Sequence, residues 1–390
     1  MKLFIVVGTR PEAIKLAPVI HHLKKDPGAF SFRVCLTGQH RELIDPALRY
    51  FGIHPDHDLN ILKQGQTLFD ITSKVMAGLT PILQEERPDM VMVQGDTASA
   101  FAGALAASFL RIPVCHVEAG LRTGSLNAPF PEEQNRRLIA VLSSFHFAPT
   151  DAARDNLIKE GVPLSQIHVT GNTSIDALLY TLKQLEESSA KASMAAYFRN
   201  QHALFLPRES GDGEGGAQVI LVTVHRRENV GASLTAICNA LIRIEEEHPN
   251  AHIAFCHHLN GRITLPMRRL LEGRTRIHLI PPLGYPQFIY LLKNVSLVLT
   301  DSGGVQEEAA WLGKPFFILR SETERMEAVS AGIGALIGTD EESICGHVNA
   351  FLHGPSDPAT GHMGSALCFG DGRAGKRIVG ALSEYKPAPI

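Results

Sequence analysis

No stretch of this 390-residue chain approaches the roughly 18 consecutive apolar residues of a membrane span, although 44% of its residues are hydrophobic. The opening MKLFIVVGTRPEAIK places one lysine before an apolar run that stops at Gly8. That run is too short for a secretory signal, and no small-residue cleavage site follows it. A cytoplasmic chain without a membrane partner is expected. An excess of one charge is also missing: 37 Lys and Arg face 40 Asp and Glu, a formal net charge of -3. Nucleic-acid binders present a basic face, so no nucleic-acid partner is expected. The 6 cysteines (Cys35, Cys115, Cys238, Cys256, Cys345, Cys368) are scattered and form no CxxC, a pattern of buried free thiols in a reducing compartment. The 18 histidines include the pairs His21-His22 and His257-His258 but no HExxH and no Cys/His ligand spacing, so no metal site is expected. Gly332-Ile333-Gly334 imitates part of a dinucleotide fingerprint, yet it follows a helical pattern and precedes a strand. The fingerprint needs strand, loop, then helix, so no NAD and no other cofactor is expected.

Short β-rich apolar runs alternating with helical patterns fill the chain, the mark of parallel α/β sheets. The first half has runs at 3–7, 32–37, 89–94, 113–118, 145–149 and 167–171; the second has them at 219–224, 252–257, 276–280, 296–300, 315–319 and 335–338. Helices are predicted over Glu12–Lys25, Phe69–Glu86, Ala98–Leu110, Asn172–Glu187, Ser233–Glu247 and Tyr285–Leu292. Ile71, Val75, Leu79, Ile82 and Leu83 set one apolar face of the second. Residues 199–218 contain RESGDGEGG and read as a flexible surface loop or insertion. At this length two domains are the default, with divisions expected at 1–171, 172–372 and a final helical segment 373–390. The site is expected in the cleft between two similar α/β domains.

Ligands of open α/β sheets bind beyond the carboxyl ends of the strands. After the first strand comes GTRPEAIK, where Gly8 permits a tight turn and Pro11 suits a first helical turn. Arg10 and Lys15 stand near that helix N-terminus, which suits an anion; a turn with solvated charges is the competing account. The Walker spacing GxxxxGK[ST] is missing. After the third and fourth runs come Gln94-Gly95-Asp96-Thr97 and Glu118-Ala119-Gly120, and Pro131-Glu132-Glu133 opens a later helix. Asp96, Glu118 and Glu132 thus fall at one sheet edge as candidate acids and bases, since burial and mutual repulsion raise carboxyl pKa values. Helix capping would equally account for Asp96 and Glu132 taken singly. In the second half, His225-Arg226-Arg227 follows a strand and suits a diphosphate, or forms a plain solvated turn. Asp301-Ser302-Gly303-Gly304 follows another, where two glycines expose backbone N–H groups to a phosphate. The carboxylates one to two turns on could receive ribose hydroxyls.

Taken in order, GTRPEAIK, GQHRE (Gln39 to Glu42 and their neighbours), QGDT, HVEAGLRTG, PFPEEQNR, VTGNTSIDAL, HRREN, HLN (His258 to Asn260), TDSGGVQEEA and GDGRA resemble the non-hydrolysing UDP-N-acetylglucosamine 2-epimerases over nearly the whole chain. The resemblance implies an α/β fold of two Rossmann-like domains facing across a cleft (GT-B-type), a terminal helix over Arg373–Tyr385 crossing back to the first domain, and a homodimer. It implies reversible epimerisation at carbon 2 of UDP-N-acetylglucosamine to UDP-N-acetylmannosamine without NAD, through loss and re-addition of UDP. Arg10, Lys15 and His225 match nucleotide and diphosphate contacts, and His225 also falls with Asp96, Glu118 and Glu132 among the catalytic positions. Ser302, Gly303 and Gly304 match a phosphate-cradling turn, Glu308 a ribose-binding carboxylate, Phe288 a position near the uracil and Arg325 a further substrate contact. Gln39 and His258 match contacts of an allosteric second UDP-N-acetylglucosamine, while Glu42 and Gly65 fall where some members carry Gln and Arg. Val224 stands where Gly or Ala is usual before HRREN, Ser321-Glu322 where Asp-Thr is, and Met326 and Gly261 where Pro is. A hydrolysing epimerase and a UDP-sugar glycosyltransferase of the same architecture are the alternatives.

Overall fold

The computed structural model describes residues 1–38, 41–61, 65–206, 218–257, 261–354 and 367–385. They form two compact units, Met1–Ala177 with Phe369–Ile390, and Leu178–Cys368. Each unit is built on one parallel sheet.

In the first unit, β1 (Lys2–Val7), β2 (Ser31–Leu36), β3 (His57–Asp58), β4 (Met90–Gln94), β5 (Val114–Val117), β6 (Phe145–Ala148) and β7 (Ile167–Val169) pair in the order β3-β2-β1-β4-β5-β6-β7. Leu3 to Val7 are all buried, as a strand covered on both faces requires. On one face, Ile71, Val75, Leu79 and Leu83 of the helix Leu68–Glu86 pack with Phe4, Val6, Val91 and Val93. The strand β3 was not anticipated, because His57–Asp58 offers two polar edge residues and no apolar run.

In the second unit, β8 (Gln218–Thr223), β9 (Ala251–Cys256), β10 (Ile277–Ile280), β11 (Leu297–Thr300), β12 (Phe316–Ile318) and β13 (Gly334–Leu336) pair in the order β10-β9-β8-β11-β12-β13. Its core joins Ile220, Val222 and Phe255 to Leu234, Ile237 and Leu241 of the helix Ala232–Glu247. Both are Rossmann-like sheets, and in each the order reverses once, between β1 and β4 and between β8 and β11. The crevice outside such a reversal is where these sheets take ligands. The loops there are the ones whose motifs stood out in the sequence.

The terminal helix Ala374–Ser383 belongs to the first unit and packs against the helix Arg10–Leu23. A Cβ on Gly375 would lie 3.0 Å from the carbonyl carbon of Pro18, tighter than ordinary Cβ contacts, so the glycine eases that close approach. Asp176 accepts hydrogen bonds from Ala374 N (3.1 Å) and Gly375 N (2.9 Å), which caps the terminal helix. That tie keeps the start of the helix Thr173–Leu185 in the first unit, so the division falls after Ala177. Most of the expected Gly-rich insertion, 207–217, lies outside the described residues, and its first part is the end of the helix Ser188–His202. None of the six cysteines is in a disulfide; Cys256 and Cys368 are half-buried where full burial was expected. No helix among the described residues is long and apolar enough to cross a membrane.

Candidate active site

At the reversal of the first sheet, Gly8 ends β1 so close to the helix Ala98–Phe109 that a Cβ there would run into the Ser99 side chain. The glycine lets the loops after β1 and β4 meet. Glu12, 2% exposed, reaches back from the first helical turn and accepts N–H bonds from Gly8 and Thr9 (2.8 Å) and the hydroxyl of Thr97. The two loop amides are therefore taken by the chain's own carboxylate. Arg10, the first residue of the helix that follows, is half-buried. Burial is the largest influence on Glu12 and, with the Asp96 charge, outweighs the three hydrogen bonds, raising the carboxyl to about 7. The folded chain thus keeps a proton that the unfolded chain releases near 4.5, and this group lowers stability as pH rises through that window.

After β4, Thr97 and not Asp96 caps the next helix, its Oγ1 accepting from Ala100 N at 3.0 Å. Asp96 Oδ2 instead takes both Nε (2.8 Å) and Nη2 (2.7 Å) of the buried Arg136. His116, on β5, donates from Nε2 to Gly95 O at 2.7 Å. Burial pushes its imidazole down to about 3, so it is a neutral prop for the loop that holds Asp96.

Glu118 follows β5 with φ +68°, a left-handed conformation unusual for a residue with a side chain. Its Oε1 receives the Lys15 ammonium and the Asn172 amide (2.9 Å), and its Oε2 the Gln94 amide. Lys15 is 6% exposed and is the counter-ion of Glu118. A Cβ on Gly95 would sit 3.7 Å from Glu118 Oε2, which puts Glu118 against the Asp96 loop. Glu132 begins the helix that also bears Arg136 and is half-buried, whereas Glu133 is fully buried on Thr123 N and Arg136 (both 3.1 Å). Glu133 is the structural member of that pair.

In the second unit Asp301 does what Glu12 does in the first. Fully buried, it accepts from the backbone of His225 (3.0 Å) and Arg226 (2.9 Å) and from Asn229 Nδ2 (2.9 Å), and its Oδ1 lies 2.6 Å from His225 Nδ1. Burial would raise this carboxyl, but the His225 charge and these hydrogen bonds win and hold it at about 2. Asp301 fixes the ring of His225, whose side chain stays 39% exposed. Val224 is buried in the core of the second unit. Ser302 stands at the N-cap position of the helix Gly303–Trp311 without a side-chain capping bond. A Cβ on Gly303 would strike the Arg325 guanidinium, while Gly304 faces open space. Arg325, 5% exposed, is held across that helix start by Glu307 (2.6 Å) and Glu324. The turn thus combines amides with a guanidinium, which the sequence placed far apart. Glu308 is buried and takes the Tyr285 hydroxyl at 2.8 Å; Phe288 is half-buried on the helix Tyr285–Asn294.

Residues 21–383 match the family model described as UDP-N-acetylglucosamine 2-epimerase. The chain belongs to the UDP-N-acetylglucosamine 2-epimerase family. A Yersinia pestis UDP-N-acetylglucosamine 2-epimerase is 44% identical over 389 residues, 99% of each chain. The Neisseria meningitidis UDP-GlcNAc 2-epimerase bound to UDP-GlcNAc superimposes with TM-score 0.92 at 41% identity, covering 99% of this chain and 100% of that one. The Methanocaldococcus jannaschii UDP-GlcNAc 2-epimerase in complex with UDP-GlcNAc and UDP gives 0.84 at 36% identity, covering 98% and 99%.

For a member of this family, Glu12, Asp301, Gln94, Asn172 and Arg136 were not singled out in the sequence. Glu12 had a signal, since a Thr followed three residues later by Glu is a capping-box pattern. Among the possible effector residues, Glu42 is exposed on the helix Arg41–Tyr50, while Gln39 and His258 lie outside the described residues. No cluster of His, Cys, Asp or Glu among the described residues could hold a metal ion.

Proposed function

We propose that the chain interconverts UDP-N-acetylglucosamine and UDP-N-acetylmannosamine by elimination and re-addition of UDP, without hydrolysis and without NAD. The observation that carries this reading is the pair of anchored carboxylates, Asp96 on Arg136 and Glu118 on Lys15, on the loops after the neighbouring strands β4 and β5, beside the sheet reversal. Carbon 2 of the sugar bears a hydrogen not acidified by a carbonyl, so direct proton removal is difficult. If the C1–O bond breaks and UDP leaves with the electron pair, a base can take the carbon 2 proton and a C1=C2 double bond forms. The product is a 2-acetamidoglucal. An acid then protonates the other face of carbon 2 while the UDP oxygen adds back to carbon 1.

Two faces need more than one proton-transfer group, and Asp96, Glu118 and Glu132 supply them. Arg10, His225, Arg325 and the Ser302–Gly304 turn would stabilise charge on the departing diphosphate, an interaction strongest in the transition state. Glu308 and Phe288 would hold the ribose and uracil. Incubation with UDP-N-acetylglucosamine alone, followed by NMR in deuterated water, tests the reading. Both epimers should appear, with deuterium at carbon 2 of the product. Retained hydrogen there would sink the elimination route, and stoichiometric free N-acetylmannosamine would establish the hydrolysing alternative.

A homodimer in the cytoplasm completes the reading. The helix Ala98–Phe109 packs between Leu68–Glu86 and Glu132–Leu142, and these helices leave Phe69, Phe109, Leu138 and Val141 exposed at 80%, 71%, 47% and 85%. Apolar side chains left outward on neighbouring helices suit burial against a second copy. Val141→Lys with Phe109→Lys should convert a dimer into a monomer by light scattering; an unchanged mass would place the interface elsewhere.

A further inference from the structure

We propose that Glu12 is a positioning residue of the reaction, tying the loop after β1 to the loop after β4 and so setting Arg10 and Asp96 relative to each other. The inference rests on the function proposed above for Arg10 and Asp96. Its physical basis is the set of donors around one carboxylate. Gly8 N and Thr9 N come from the loop that leads into Arg10, and Thr97 Oγ1 from the residue after Asp96. No other contact described above joins these two loops by hydrogen bonds, and Gly8 brings them together only by being without a side chain.

The second unit supports the reading by repetition. There Asp301 takes two consecutive amides, His225 N and Arg226 N, from the loop after the first strand of its sheet. The clamp has the same form with the carboxylate on the opposite side: Glu12 belongs to the first-strand side, Asp301 to the loop after β11. The surroundings differ in charge. Asp301 faces His225 and stays ionised, whereas Glu12 faces Asp96, which is itself paired with Arg136. On its own helix Glu12 has Arg10 and Lys15, and Lys15 is committed to Glu118. A carboxylate two-fold useful as a tie is thus kept where burial works against its charge, which ordinary helix capping would not require.

The test compares Glu12→Ala and Glu12→Gln in the full chain. Gln can accept the loop amides through its oxygen and donate to Thr97 Oγ1 through its amide, so it preserves the tie without an ionisable oxygen. In Glu12→Ala, kcat should fall about 10- to 100-fold, as displacement of a catalytic group by roughly 1 Å does. UDP affinity, read by calorimetry, should weaken less than in Arg10→Ala, because Arg10 is displaced rather than removed while His225 and the Ser302–Gly304 turn keep their own contacts. Glu12→Gln should recover most of the lost kcat. Amide hydrogen exchange at Gly8 and Thr9 should accelerate in Glu12→Ala and not in Glu12→Gln, whatever reaction the parent catalyses. A folded Glu12→Ala chain with parental kcat, or with unchanged protection of those amides, overturns the proposal. Failure of the parent to epimerise would instead overturn the function and leave the exchange result to decide the tie.

Discussion

Asp96→Asn, Glu118→Gln and Glu132→Gln should each lower turnover by a factor on the order of 100 or more, the usual worth of a positioned acid or base. The shapes are kept and only ionisable oxygens are lost, so UDP affinity should change far less than in Arg10→Ala or His225→Ala. The three will differ in stability. Asp96 and Glu132 are half-buried. Glu118 instead neutralises Lys15 in a site where the two side chains are 7% and 8% exposed. Removing one partner of such a pair costs about 3–5 kcal/mol because the other charge is left buried. Glu118→Gln should therefore unfold at lower denaturant than the other two. Adding Lys15→Met should return stability without returning activity. Carboxamide variants that fold and turn over at the parental rate would show the cluster to be structural. Recovery of activity in the double variant would reduce Glu118 to a partner of Lys15.

The second large effect belongs to Asp301. Asp301→Ala removes the acceptor of two backbone amides and the Asn229 side chain, and the partner of the His225 ring. Each buried donor left unsatisfied costs about 1–3 kcal/mol, so a loss of roughly 3 kcal/mol or more is expected in urea melts. The His225 ring would also lose its fixed orientation, and UDP binding should weaken at least about tenfold. Asp301→Asn keeps one acceptor oxygen and should lose less stability, yet it cannot pair with a charged imidazole. In the parent, the contribution of Asp301 is complete above its unfolded value of 3.8 and disappears as pH falls through about 2. Asp301→Ala with parental stability and UDP affinity would show that His225 is positioned by other contacts.

Local signals made much of this molecule legible before its structure. The apolar run 3–7 appears as β1 over Lys2–Val7, and the pattern over Phe69–Glu86 as the helix Leu68–Glu86, because burial on a strand or a helical face imposes a period that a short window contains. Arg10, Asp96, Glu118, His225 and the Ser302–Gly304 turn were found by the rule that loops after parallel strands meet ligands, and the strand order puts the loops after β1, β4, β8 and β11 at the reversals; Phe288 and Arg325 came from the family resemblance alone. What the loops do with their polar groups was not legible. Glu12 and Thr97 are 85 positions apart, Lys15 and Glu118 103, and His225 and Asp301 76. Read in sequence, GTRPEAIK offered a helix N-terminus with Arg10 and Lys15 to an anion; folded, Glu12 takes the Gly8 and Thr9 amides and Glu118 takes Lys15. The element order and the sheet edges followed from periodicity along the chain. Which charges are spent on one another, and which are left for a ligand, was decided only when strands distant in sequence were laid side by side, since a hydrogen bond depends on separation in space and leaves no period in the sequence.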